Sequence, residues 1–130
     1  MKLPEFFGFK KRREETIIIP RKDAFQNPRK SFRIEYRAKD MPAVEIDNKR
    51  YPAVDISATG IKLWSSNHFH ERQNLEGKIY LHVGELSFSG NVIRVNKKTN
   101  STAIDFYREL PWGELIKERN YLKNEKGYKI

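Results

Sequence analysis

The chain has 130 residues, enough for one domain and too few for two, and its 38% hydrophobic content with 12% aromatics excludes wholesale disorder. It contains no cysteine, which excludes disulfides, thiolate catalysis and cysteine-held metal and points to a reducing cytoplasm. With 26 basic against 17 acidic residues, a net charge of +9, it suits a polyanionic partner: nucleic acid, anionic lipid or a phosphorylated small ligand.

Residues 1–27 read as an extension, flexible or partner-binding. Pro4, Gly8 and Pro20 interrupt any long element, and "TIIIP" at 16–20 suits one short strand. The order of "MKLPEFFGFKKRREE", apolar before basic and without a small-residue cleavage site, excludes a secretory signal. Phe6, Phe7 and Phe9 followed by Lys10–Arg13 suit weak contact of residues 1–13 with an anionic membrane surface, or docking to a protein. No apolar run approaches the length of a membrane span.

From Ser31 the pattern alternates. "SFRIEYRA" puts Phe32, Ile34 and Tyr36 on one face and Arg33, Glu35 and Arg37 on the other. "AVEI", an Asp47–Asn48 turn and "KRYPAVDIS" predict a hairpin, because Asp and Asn tolerate left-handed turn conformations. "IKLWSS" is the next strand, followed by a polar connection from Asn67 to Gly77. "KIYLHV", a Gly84–Glu85 turn and "LSFSGNVIRVN" predict a second hairpin. "NKKTNS" is a loop and "TAIDFY" the closing strand. In "PWGELIKERNYLKNE" the period becomes helical through Trp112, Leu115, Ile116 and Leu122, with Pro111 at the start. Short, evenly spaced strands and one terminal helix predict a mainly β fold: an antiparallel barrel with a C-terminal α-helix.

Two stretches carry chemistry. Arg29 and Arg33 in "RKSFR", in an extended chain, lie about 13 Å apart on one side. Guanidinium groups pair bidentately with phosphate and stack on nucleobases. In "DISATG", Asp55 and Ser57 share a strand face while Ile56 points to the other. A carboxylate can accept from the N1–H and N2–H₂ of guanine, and a hydroxyl can bond base or phosphate. Gly60 allows a positive φ or the close approach of a ligand. Taken singly, the first motif also fits two solvated arginines and the second also fits an ordinary turn.

Together, RxxxR before the first strand and DxSxxG one hairpin later resemble the PilZ domain, a bacterial cyclic di-GMP receptor. The resemblance covers roughly residues 28–125, leaving 126–130 as a C-terminal tail, and extends to the element order through "NVIRV", "TAIDF" and the helix. It implies a six-stranded barrel whose N-terminal loop folds over the ligand. Arg29 and Arg33 would grip phosphates and stack on guanine, Asp55 and Ser57 would read a guanine edge, and Gly60 would leave room. Family members are switches, so the resemblance implies a receptor, not an enzyme. It would convert ligand binding into a changed surface for an unidentified downstream protein in motility, biofilm or secretion control. Pro28 stands where the family often has a further basic residue associated with an intercalated ligand dimer, which leaves stoichiometry open.

Other constellations are weaker. His68, His70 and His82 supply no convincing ligand set for a metal, no cofactor is implied, and no catalytic triad, P-loop or GxGxxG is present. The rival functions are a small basic barrel using Phe32, Tyr36, Tyr51 and Trp64 to stack nucleic acid, the less favoured partner, and an adaptor that binds only protein.

Overall fold

The computed structural model describes residues 32–130. The extension at 1–27 with its membrane-contact segment, the strand expected at 16–20, and Arg29 lie outside the described residues.

Among the described residues there are seven strands: β1 (Arg33–Glu35), β2 (Ala43–Ile46), β3 (Lys49–Ser57), β4 (Gly60–Leu63), β5 (Asn74–Leu81), β6 (Gly84–Asn96) and β7 (Ser101–Phe106). All pairings are antiparallel. Strands β3, β2, β5, β6, β7 and β4 pair in that order, and β4 pairs back onto β3. The result is a closed, six-stranded antiparallel barrel. Short β1 lies outside this circuit on the C-terminal half of β3, with Arg33 opposite Ser57 and Glu35 opposite Asp55.

Alternation explains the closure. Ile34, Val44, Ile56, Leu63, Ile79, Val92 and Ile104 are fully buried and fill the interior. Each contributes about 1.5–3 kcal/mol of burial free energy. Closure also removes the unpaired edges that an open sheet would expose.

Asp47 and Asn48 form the β2–β3 turn with φ of 52° and 66°, the double left-handed geometry of a tight hairpin. The β5–β6 turn differs from expectation. Leu81 pairs with Gly84, so the turn residues are His82 and Val83, two positions earlier than Gly84–Glu85. The cause is tertiary: a glutamate on the helix holds both turn residues, as described below. The polar connection is also shorter, because β5 begins at Asn74 and turns Leu75 into the core.

Helix α1 (Trp112–Lys126) follows Pro111 and ends at Gly127, which takes the left-handed conformation with φ of 73°. It buries Leu115, Glu118 and Leu122 on one stripe. Residues beyond it pack back: Tyr128 is buried, its hydroxyl donates to Asp40 Oδ2 at 2.7 Å, and it accepts the Arg37 N–H at 2.8 Å. The Arg37 guanidinium lies over the Tyr128 ring and donates to the carbonyls of Lys126 and Gly127. Arg37 thereby satisfies carbonyls that a helix C-terminus leaves without intrahelical partners.

Glu118 is a fully buried charge-bearing side chain in that stripe. Its Oε2 accepts from the Tyr36 hydroxyl at 2.8 Å and from His82 Nδ1 at 2.7 Å, and its Oε1 accepts the Val83 N–H at 3.3 Å. His82 stacks between Tyr36 and Tyr121. Burial, then the Glu118 charge and hydrogen bond, raise the Tyr36 hydroxyl far above its ordinary value of 10.0. One carboxylate thus staples the helix to the end of the first strand and to the β5–β6 turn. Among the described residues no helix is long and apolar enough to cross a membrane.

Candidate functional site

The C-terminal half of β3 carries the site, between β1 on one side and β4 on the other. Asp55 lies opposite Glu35 of β1 and Lys62 of β4. A register irregularity between Ala53 and Asp55 precedes it, and such bulges re-aim side chains. Arg33 reaches Asp55 diagonally, its Nη1 donating to Oδ1 at 2.6 Å. Lys62 Nζ stands 3.9 Å from the other carboxylate oxygen. The two cations cover Asp55, whose side chain is 9% exposed, while Arg33 itself stays 48% exposed. A half-exposed arm on a carboxylate gives a replaceable pair, of the kind that contributes about 0–1 kcal/mol.

Ser57 lies deeper than the sequence suggested. Its Oγ accepts the N–H groups of Thr59 at 3.3 Å and Gly60 at 3.2 Å, and its residue is 3% exposed. These bonds form the local side-chain turn that serines favour. The turn is held from its other side by the end of β7 and the chain that follows it: the carbonyls of Ala58 and Thr59 accept from Leu110 and Phe106, at 2.9 and 2.8 Å.

Gly60 requires no positive φ. Its reason is proximity: β4 runs so close to β7 that a Cβ would stand 2.7 Å from the Ile104 carbonyl oxygen. The glycine is needed for the barrel seam, beside whatever room it leaves for a ligand.

Arg33, Asp55 and Gly60 border a cavity of about 350 Å³ lined also by Glu35, Thr59, Lys62, Arg94 and Asp105. A second cavity of about 540 Å³ adjoins it, lined by Met41, Val54, Trp64, Asn96 and Ser101 and sharing Lys62, Arg94 and Ala103. Arg33, Asp55 and Gly60 are therefore brought together, with Ser57 beneath them. Lys62 and Arg94 were missed. Lys62 shares a strand face with Gly60, an available signal; Arg94 depends on a strand irregularity that no local pattern announces.

The other candidates fall elsewhere. Of the aromatics nominated for nucleic acid, Tyr36 and Tyr51 are buried and Trp64 is 48% exposed, so the group forms no common platform. The core took Tyr36 and Tyr51 because both sit at inward positions. His68 lies against Tyr51, the His70 N–H donates to Gln73 Oε1, and His82 serves the helix staple.

The fold is a closed small barrel with a helix, and beside the β3–β4 turn it gathers Arg33, Lys62 and Arg94 with Glu35, Asp105 and the buried Asp55. Residues 27–118 match the family model of the PilZ domain, and the chain belongs to that family. Among solved structures, one similar fold is an uncharacterized Legionella protein: 20% identity, TM-score 0.56, covering 75% of this chain and 99% of that one. Another is the Bacillus subtilis inhibitor of motility (MotI/DgrA): 14% identity, TM-score 0.55, covering 75% of this chain and 51% of that one. No curated protein sequence matches.

Proposed function

We propose that this chain is a cyclic di-GMP receptor, not an enzyme, that turns nucleotide binding into an altered surface for a downstream protein. The observation that carries the reading is the Arg33–Asp55 pair. Two residues 22 positions apart meet at 2.6 Å on the wall of a polar cavity that also contains Gly60. Family membership supports the same reading.

The pair suggests an exchange of partners. Cyclic di-GMP supplies phosphates for Arg33 and a guanine edge for Asp55. Arg33 then swings from the carboxylate to a phosphate and stacks on a purine, while Asp55 accepts the guanine N1–H and N2–H₂. The loss of a half-exposed ion pair is small beside these charge-assisted bonds. Ser57 and Gly60 hold the turn that follows Asp55 at the end of β3, and Arg29 joins from the preceding segment as the second motif arginine. Ligand shifts the protein only by binding this arrangement better than the open one. The proposed domain runs from residue 28 to 125, the place of action is the cytoplasm, and no cofactor beyond the nucleotide is invoked.

Calorimetric titration of cyclic di-GMP into wild type and Arg33→Ala, at low and moderate salt with GTP as control, tests the reading. Saturable, guanine-dinucleotide-selective binding that the substitution removes is expected, together with its stoichiometry. Binding that instead tracks salt steeply and ignores the base would indicate a phosphate-tracking groove.

A further inference from the structure

Strand β6 breaks its alternation beside the site. Val92 pairs with Ile104 and is buried, Arg94 pairs with Ala103, and the register shifts between them. The extra residue turns two consecutive side chains, Ile93 and Arg94, outward, Ile93 being 49% exposed. Both line the cavity that holds Arg33 and Asp55, and Arg94 also lines the larger neighbouring one, whose outer wall carries Trp64. Among the described residues the Arg94 guanidinium has no ion pair or hydrogen bond, whereas Arg33 and Lys62 both face Asp55. An unpaired arginine at the junction of two cavities, with an exposed indole beyond it, has the parts of a phosphate-and-base subsite. The volumes agree: about 350 Å³ is near the lower limit for a ligand pocket, and the adjoining 540 Å³ extends it well into the usual range of about 300–1,000 Å³.

We infer that the groove from Arg94 to Trp64 is a second nucleotide subsite, which receives the half of a cyclic dinucleotide not held by Asp55. Arg94 takes the phosphate at the junction and Trp64 stacks the distal purine. The inference rests on the cyclic di-GMP reading and adds to it the means of distinguishing a dinucleotide from a mononucleotide. A mononucleotide fills only the Asp55 side and gains nothing from Trp64.

Cyclic di-GMP and GMP are titrated into wild type, Arg94→Ala, Trp64→Ala and Arg33→Ala, with circular dichroism confirming the fold. Both new positions are exposed, so the variants retain the core. The expected result is that Arg94→Ala and Trp64→Ala each lower the preference for cyclic di-GMP over GMP by about tenfold. In a Trp112→Phe background, saturating cyclic di-GMP should also quench Trp64 emission. An unchanged preference and unquenched Trp64, with binding still lost in Arg33→Ala, overturn the subsite and leave the receptor reading intact. Absence of cyclic di-GMP binding to the wild type overturns both.

Discussion

Asp55 and Glu118 are two buried carboxylates met by the same short stretch of chain, and their surroundings differ. Outward-pointing Arg33 meets Asp55, and inward-pointing Tyr36, three residues later, meets Glu118. Glu118 is fully buried and its partners are a hydroxyl, an imidazole and a backbone N–H, none of which can leave without stranding another buried polar group. Asp55 is covered mainly by side chains that can swing into solvent. The lesson is that burial of an acid does not by itself mark a site. What separates a staple from a recognition group is whether its partners can be exchanged at small cost.

Substitutions sharpen that contrast. The largest stability effect is expected from Glu118→Ala, which removes a fully buried carboxylate that accepts three hydrogen bonds and should cost about 3–5 kcal/mol in denaturant unfolding. A loss under 1 kcal/mol would break the comparison. Gly60→Ala drives a Cβ against the Ile104 carbonyl and should cost roughly 1–3 kcal/mol, measured the same way, even without nucleotide.

Tyr36→Phe keeps the ring and deletes one bond to Glu118, for about 1 kcal/mol at neutral pH. It should also change the alkaline limb. The folded Tyr36 is raised above 10.0, so it holds its proton where the unfolded chain has lost one. Its contribution is full below pH 10 and declines as pH rises beyond it. Stability measured from pH 9 to 11.5 should therefore fall less steeply in the phenylalanine variant.

Asp55→Asn sits at the other extreme. Its unfolding free energy should move by no more than about 1 kcal/mol, while cyclic di-GMP affinity falls at least tenfold by calorimetry. A variant that binds normally would remove Asp55 from the recognition role.

Much of the barrel was legible because strand alternation, Asp47–Asn48 and the helical period of the C-terminal segment are local signals. Ile34, Ile79 and Ile104 all point inward where the two-residue period puts them. The errors occur where tertiary contacts overrule local chemistry. Gly84 looks like a better turn residue than His82, yet Glu118, 36 residues further on, fixes the turn at His82–Val83. Glu118 itself was invisible, since a glutamate on a helix is ordinarily solvated. At the candidate site, the spacing of Arg33, Asp55 and Gly60 pointed to β1, β3 and β4, which the fold sets side by side. Lys62 and Arg94 join them through pairing register and a bulge, neither of which a single sequence announces.

The turn at residues 57–60 has a consequence for how such motifs are read across genomes. Ser57 ties the turn internally, and Gly60 permits β4 to seal against β7. A descendant of this chain with no use for a nucleotide would remain under selection to keep both, simply to close the barrel. Arg33 and Asp55 would drift first. In this fold, half of the DxSxxG motif records architecture, and the ancestry of a fold is weaker testimony to its present ligand than a matched arginine and aspartate.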